Sequence, residues 1–194
     1  EILTPFALTV GTGNFGTATR AKANSLIPGC GTLPEEVVAT TTEVVHKEAL
    51  NFDLVILPEQ SGTARRDANA GQIVLDVPAY NVAEETTFSI SEEDLILTET
   101  NIMRLKVILA NDKQYNITAR NSVGTPVTLF SQPLSITLPV PTNLRDVQNL
   151  GVYYLDETTG NWVLVPGGIV NNNQITFYVT HLTTFTILSV ENLP

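Results

Sequence analysis

Residues 174–190 read QITFYVTHLTTFTILSV and decide the fold class. β-Branched and aromatic residues dominate two runs of this segment, 174–179 and 184–190, and four residues join the runs. Such residues fit the pleated, half-buried surface of a sheet. The segment therefore predicts two consecutive short β-strands.

Similar short runs precede this segment, and turn-forming residues separate them. The sequences DETTG at 156–160, PGG at 166–168 and NNN at 171–173 mark three of these turns. Many short strands with frequent turn signals are typical of a sandwich or barrel. We therefore predict an all-β fold, an antiparallel β-sandwich. Its other strands are predicted at 71–78, 86–90, 103–109, 126–130, 134–140, 152–155, 162–165 and 169–170.

The first 68 residues are less regular than the rest of the chain. We predict two parts, an N-terminal segment at 1–68 and the sandwich domain at 69–194. A strand is predicted at 52–58 in the N-terminal segment. Small and polar residues at 61–70 predict a linker between the two parts.

One helix is predicted in the N-terminal segment, from Leu33 to Leu50. Thr32 and Glu35 fit a capping box, and Pro34 fits the first turn of a helix. The three threonines at 40–42 oppose this prediction, because β-branched residues lower helix propensity.

The charge balance excludes some classes of partner. The net charge is −10 at pH 7, and no Lys or Arg follows Arg145. Such a surface repels phosphate backbones and anionic lipids, so we predict no nucleic-acid binding. The sequence has no apolar run of about 18 residues, which predicts no membrane insertion. With 15% charged residues and many hydroxyl side chains, the composition favours a secreted or cell-surface β-protein.

Cys30 is the single cysteine of the chain. An intramolecular disulfide is therefore impossible, and the stability of the fold must come from packing. Two alternatives stay open for Cys30, a plain thiol and a bridge between chains.

Four pieces of the sandwich carry a family resemblance. They read GQIVLDVP at 71–78, LSITLPV at 134–140, VYYLDETTGNWV at 152–163 and QITFYVTHLTTF at 174–185. Through them, residues 71–188 resemble the sandwich module of ankyrins and netrin receptors, in the version common in bacterial cell-surface proteins. The resemblance implies a non-enzymatic part of a surface-layer, adhesive or scaffold protein.

The sequence His181-Leu182-Thr183 is similar to the self-cleavage site of adhesion-receptor GAIN domains. In such a site the Thr183 hydroxyl would attack the Leu182 carbonyl, and His181 would accept the hydroxyl proton. A strained kink between two strands would raise the energy of that peptide bond. Self-cleavage is the one catalytic alternative; otherwise we predict that the protein is not an enzyme.

The first predicted strand indicates self-assembly. Phe6, Leu8 and Val10 belong to a strand at 6–10, and GTGNFG at 11–16 follows it as a glycine-rich joint. This joint would let the strand leave its own domain and pair with the sheet edge of a neighbouring copy. A head-to-tail contact of that kind yields filaments. We therefore predict a self-assembling structural protein whose main partners are copies of itself.

A binding surface for glycans is an alternative function. Tyr153, Trp162 and Tyr178 could form an aromatic platform for sugar stacking, or they could be core residues. Other surface proteins are a further class of partner for such a module.

Cofactor binding has few signals in the sequence. The acidic groups Glu84-Glu85, 92–94 and Asp156-Glu157 could ligate calcium, or they could be solvated turns. His46 and His181 are the only histidines and lie far apart, which predicts no zinc site. The sequence GTGNFG also spells the dinucleotide fingerprint, but no βαβ unit follows it. We predict no cofactor, with calcium left open.

Overall fold

The computed structural model describes residues 44–51, 53–145 and 147–191. Within this part, thirteen strands, one α-helix and one 3-10 turn form two sheets and their connections. The elements are β1 (His46–Leu50), β2 (Leu54–Ile56), β3 (Ser61–Ala68), β4 (Gly71–Val77), β5 (Thr86–Asp94), α1 (Glu99–Leu105), β6 (Val107–Ala110), β7 (Lys113–Asn121), β8 (Leu129–Pro139), the 3-10 turn (Thr142–Leu144), β9 (Leu150–Asp156), β10 (Asn161–Leu164), β11 (Ile169–Asn171), β12 (Gln174–His181) and β13 (Thr184–Val190).

The two sheets pack face to face as an antiparallel sandwich, which confirms the predicted fold class. The six-stranded sheet has the order β1-β3-β4-β8-β12-β11. The seven-stranded sheet has the order β10-β9-β13-β7-β5-β2, and β6 pairs with β13. The pairing of β1 with β3 is parallel, and the others between these strands are antiparallel.

The core lies between the two sheets because strand side chains alternate between faces. The six-stranded sheet contributes Ile136 and Phe177, and the seven-stranded sheet contributes Phe88, Ile117 and Phe185, all with no exposed area. Full burial of such a side chain stabilises the fold by about 1.5–3 kcal/mol. Packing of this core therefore holds the two sheets together.

A second apolar cluster covers the outer face of the seven-stranded sheet. It consists of Tyr153, Trp162, Leu188 and Val190, with residues from α1 and β6 packed against it. Because β13 has apolar cover on both faces, six of its seven residues are buried. The described residues include no helix long and apolar enough to cross a membrane.

The strand predicted at 103–109 is wrong over 103–106 and confirmed over 107–109 by β6. The structure has a helix up to Leu105, a left-handed residue at Lys106 with φ of 51°, and a strand from Val107. Thr98 is the N-cap residue before the helix, and its side chain accepts a hydrogen bond from the backbone N–H of Asn101 at 3.2 Å. This N-cap satisfies one of the free N–H groups of the first turn, which favours the helix.

The linker predicted at 61–70 is also wrong. Residues 61–68 form β3, which pairs with β4 along seven residues from Gly62 to Ala68. The sandwich therefore starts before residue 69, and the predicted boundary falls inside a β-hairpin. The strand predicted at 52–58 is confirmed at its centre by β2.

The helix predicted from Leu33 to Leu50 is wrong at its C-terminal end, where residues 46–50 form β1. The backbone of these residues pairs with β3, and this pairing prevails over the local helix signals. The rest of that helix, the strand of Phe6, Leu8 and Val10, the joint at 11–16 and Cys30 lie outside the described residues.

Candidate functional site

The two edges of the six-stranded sheet are formed by short, exposed strands. Among the described residues, β1 pairs only with β3, and β11 pairs only with β12. At the β1 edge Leu50 is 53% exposed, and at the β11 edge Ile169 and Val170 are 61% and 52% exposed. An edge strand with exposed apolar side chains is a template for pairing with another chain.

Backbone hydrogen bonds define which groups of β1 face the open edge. The N–H of Ser61 donates to the carbonyl of Val45 at 3.1 Å, and the N–H of Asn51 donates to the carbonyl of Arg65 at 2.7 Å. The odd-numbered residues of this segment therefore bond to β3. Because a strand alternates its bonding side residue by residue, the even-numbered residues of β1 direct their N–H and C=O groups outward.

The opposite edge has one residue with outward backbone groups. Asn172 and Asn173 form the two-residue turn between β11 and β12, with φ of 48° and 60°. In such a hairpin the first flanking pair, Asn171 and Gln174, is hydrogen-bonded and the next pair is not. The N–H and C=O groups of Val170 therefore point away from β12.

His46 attaches β1 to the outer face of the sheet. Its Nδ1 lies 2.8 Å from the Ser61 hydroxyl, and its Nε2 lies 3.2 Å from the Thr63 hydroxyl. Thr63 donates its proton to Asp76 Oδ1 at 2.6 Å, so Nε2 of the imidazole is the donor to Thr63. In the neutral ring Nδ1 then accepts from Ser61. This hydrogen-bonded chain extends over β1, β3 and β4.

Asn51 fastens the end of β1. Its side chain donates to Asp67 Oδ2 at 2.9 Å and accepts from the backbone N–H of Asp67 at 2.8 Å. Asn51 has φ of 57°, a left-handed conformation that asparagine tolerates better than most residues. The hydrogen bond from Asn51, and then that from Gln72, holds the pKa of Asp67 below its ordinary value of 3.8.

We expect acid to weaken this end of β1. Because the folded pKa of Asp67 is lowered, its contribution to the closed strand is present above pH 3.8 and is lost as the pH falls through the folded pKa. Hydrogen-exchange protection factors of the β1 amides should therefore drop below about pH 4. An Asp67→Asn variant should show the lower protection already at neutral pH. Equal protection of parent and variant at all pH values would contradict the role of Asp67.

His181, Leu182 and Thr183 lie at the corner where the chain passes from β12 to β13 and so from one sheet to the other. Leu182 and Thr183 are buried. The Thr183 hydroxyl donates to the carbonyl of Leu155 at 2.9 Å, and the His181 ring packs edge-on against Tyr154 with 4.9 Å between centroids. The proposed nucleophile is thus engaged by Leu155, whereas the proposed base makes only a ring contact.

The backbone of this corner is held by ordinary hydrogen bonds. Leu182 N–H donates to the carbonyl of Thr128, and the Thr183 carbonyl accepts from Ile117 N–H, both at 3.2 Å. None of the three corner residues has a positive φ. Attack on the Leu182 carbonyl would first require the Thr183 hydroxyl to leave Leu155, so self-cleavage stays a prediction that needs a rearrangement.

The predicted aromatic platform is not formed. Tyr153 and Trp162 are each only 2% exposed, because residues 95–105, which contain α1, pack against their face of the seven-stranded sheet. Tyr178 is 58% exposed and belongs to the six-stranded sheet. The prediction that these three side chains share one exposed surface is therefore wrong.

The acidic groups proposed for calcium form local hydrogen bonds. Asp156 accepts from the Thr158 N–H at 2.9 Å and from the Thr159 hydroxyl at 2.7 Å, and the Thr159 bond is the main cause of its lowered pKa. Glu84 accepts from Asn121 at 2.8 Å. In the described part of the chain, no three acidic, histidine or cysteine side chains converge on a metal position. The calcium prediction therefore gains no ligand set there.

Comparison with known proteins adds no relative. No protein-family model matches the sequence, and no curated protein matches it significantly.

Proposed function

We propose that this chain is an extracellular structural subunit that assembles by β-strand addition at the edges of its six-stranded sheet. The observation that carries the proposal is that β1 and β11, the outermost strands of one sheet, have no second strand partner among the described residues. Both edges expose apolar side chains next to outward backbone groups. Copies joined through these edges would form one continuous sheet.

Pairing between β1 of one copy and β11 of the next uses two different surfaces. Such a heterologous contact leaves each subunit with one open edge, so the assembly grows as a filament or fibre. Few hydrogen bonds form at an edge this short, and each contributes only about 0.5–1.5 kcal/mol net. Burial of Leu50, Ile169 and Val170 would therefore supply much of the contact energy.

A second candidate for the strand that pairs with these edges lies in the segment before β1. A strand at Phe6, Leu8 and Val10 remains a prediction, and its alternating apolar residues would suit pairing with an exposed edge. In either case the acceptor is a sheet edge of the described sandwich.

We predict that proline at an outward position of either edge prevents assembly. Glu48→Pro and Val170→Pro each remove an outward N–H and leave the pairing with β3 or β12 in place, since proline is tolerated at strand edges. Negative-stain electron microscopy and sedimentation velocity should show filaments for the parent and single subunits for these variants.

The matched controls are Glu48→Ala and Val170→Ile, which change the same side chains, keep the N–H and retain an apolar group at position 170. They should assemble as the parent does. Deletion of residues 1–10 distinguishes the two candidate donor strands. Assembly should be lost if the predicted strand at 6–10 is the donor, and it should persist if an edge strand of the sandwich is the donor. Filaments of unchanged length in both proline variants would contradict edge pairing, and a parent that stays monomeric at all concentrations would contradict the proposed function.

A further inference from the structure

A cavity opens at one end of the sandwich, beside β12. The chain crosses there from β10 to β11 through residues 165–168, while β11 pairs only with residues 174–176 of β12. The remainder of β12 leaves a recess of about 230 Å³ against this crossover. Its lining includes Pro133, Tyr154, Pro166, Tyr178, Thr180 and His181.

Three aromatic rings from two sheets meet at the recess. Tyr154 comes from the seven-stranded sheet and meets the His181 ring at 79°. Tyr178 comes from the six-stranded sheet and is 58% exposed. Tyr154 and His181 thus contact each other within the lining, whereas Tyr178 is its exposed aromatic side chain.

The lining of the recess contains no carboxylate, ammonium or guanidinium group. None of its lining residues is Asp, Glu, Lys or Arg, although the chain carries 30 such residues (10 basic and 20 acidic). The imidazole of His181 makes no hydrogen bond to the described residues, and the lining also includes the hydroxyl-bearing residues Tyr154, Tyr178 and Thr180. The recess therefore suits an uncharged ligand with both apolar faces and hydrogen-bonding edges.

We propose that this recess is a binding subsite for a neutral sugar residue. A pyranose ring has C–H groups on its faces and hydroxyl groups around its rim, so its face can stack on Tyr178 while its hydroxyls bond to His181 and Thr180. The volume fits one sugar unit rather than a long chain. Tyr178, which belongs to the aromatic platform predicted from the sequence, also lines this subsite.

The experiment is saturation-transfer difference NMR on the full chain. The probes are the methyl glycosides of glucose, galactose, mannose and N-acetylglucosamine, together with a hexaproline peptide as the competing ligand class. We expect transfer to at least one glycoside. Tyr178→Ala should raise its dissociation constant about fivefold or more, the effect of losing one aromatic contact.

Two further variants make the result specific. Tyr80→Ala is the matched control, because Tyr80 is 59% exposed and lies outside the recess, and it should leave binding unchanged. Tyr178→Phe keeps the ring and should bind within about twofold of the parent, since stacking depends on the ring.

Three outcomes would overturn the subsite. The first is transfer to none of the glycosides. The second is an equal loss of binding in Tyr178→Ala and Tyr80→Ala. The third is binding of hexaproline in place of the glycosides, which would make the recess a peptide site. Assembly does not enter this measurement, so the subsite and the proposed edge pairing can fail independently.

Discussion

Replacement of Phe185 by alanine should cost about 3–5 kcal/mol of folding free energy. Phe185 has no exposed area, and its ring lies 5.2 Å from that of Phe177. The two rings belong to different sheets, so their contact crosses the centre of the sandwich. Removal of one ring leaves a cavity and also loses the aromatic pair.

Equilibrium denaturation in urea measures this loss. A single domain is typically stable by about 5–15 kcal/mol, so Phe185→Ala should shift the midpoint strongly or leave part of the protein unfolded at zero denaturant. Val123→Ala is the control, because Val123 is 80% exposed, and it should change stability by less than about 0.5 kcal/mol. A loss below about 1 kcal/mol for Phe185→Ala would show that the two sheets do not pack through this pair.

The sandwich could be predicted because its central strands carry their own signal. The run at 174–179 places Ile175, Phe177 and Val179 on one face, and all three are buried. The strand β7 was missed, although Tyr115 and Ile117 alternate with polar residues in the same way. The alternation of apolar and polar residues in this segment is a signal that could have predicted β7, since polar residues on the outer face are compatible with a strand.

The strand β3 has a weaker signal, because its sequence SGTARRDA contains small and charged residues. It is a strand because Gly62 and Ala64 face the core and leave room for β2, while Arg65 and Asp67 lie on the outer face. This role depends on a neighbour in the opposite sheet. A local window of sequence therefore indicates a linker, whereas tertiary packing selects a strand.

The sequence could not predict which of the candidate aromatic side chains are exposed to solvent. Tyr153 and Tyr178 both lie in strands with aromatic and β-branched neighbours, yet one is 2% and the other 58% exposed. The difference arises from residues 95–105, which contain α1 and pack against the outer face of one sheet only. Such cover depends on a distant segment, so the pattern around each tyrosine contains no information about it.

The open edges and the covered face together favour assembly through one sheet. The seven-stranded sheet has its outer face covered by the segment that contains α1, and the six-stranded sheet carries mainly polar residues on its outer face, with Tyr178 as an exposed aromatic side chain. Thr137 and Thr176, for example, hydrogen-bond to each other there at 2.8 Å. Stacking of sandwiches face to face would gain little apolar burial, whereas edge pairing satisfies backbone groups and buries exposed side chains.

We expect Gly62→Ala to destabilise the protein by about 1–3 kcal/mol through overpacking. A Cβ at position 62 would lie 2.9 Å from Leu54 Cδ2 and 3.0 Å from Ile56 Cγ2. Leu54 and Ile56 belong to β2, at the edge of the opposite sheet, and both are buried. The new methyl group must therefore push β2 away from β3.

Gly168→Ala is the matched control, because its Cβ would meet only the end of the Ile175 side chain, at 3.3 Å. Urea denaturation should show a change of less than about 0.5 kcal/mol for the control. Hydrogen exchange should show faster opening of β2 and of its partner β5 in Gly62→Ala, since the clash acts on that edge. Equal stability of the two variants would mean that residues 54–68 are attached to the sandwich only loosely. The β1 edge, which rests on β3, would then be a flexible arm rather than a fixed template for a neighbouring subunit.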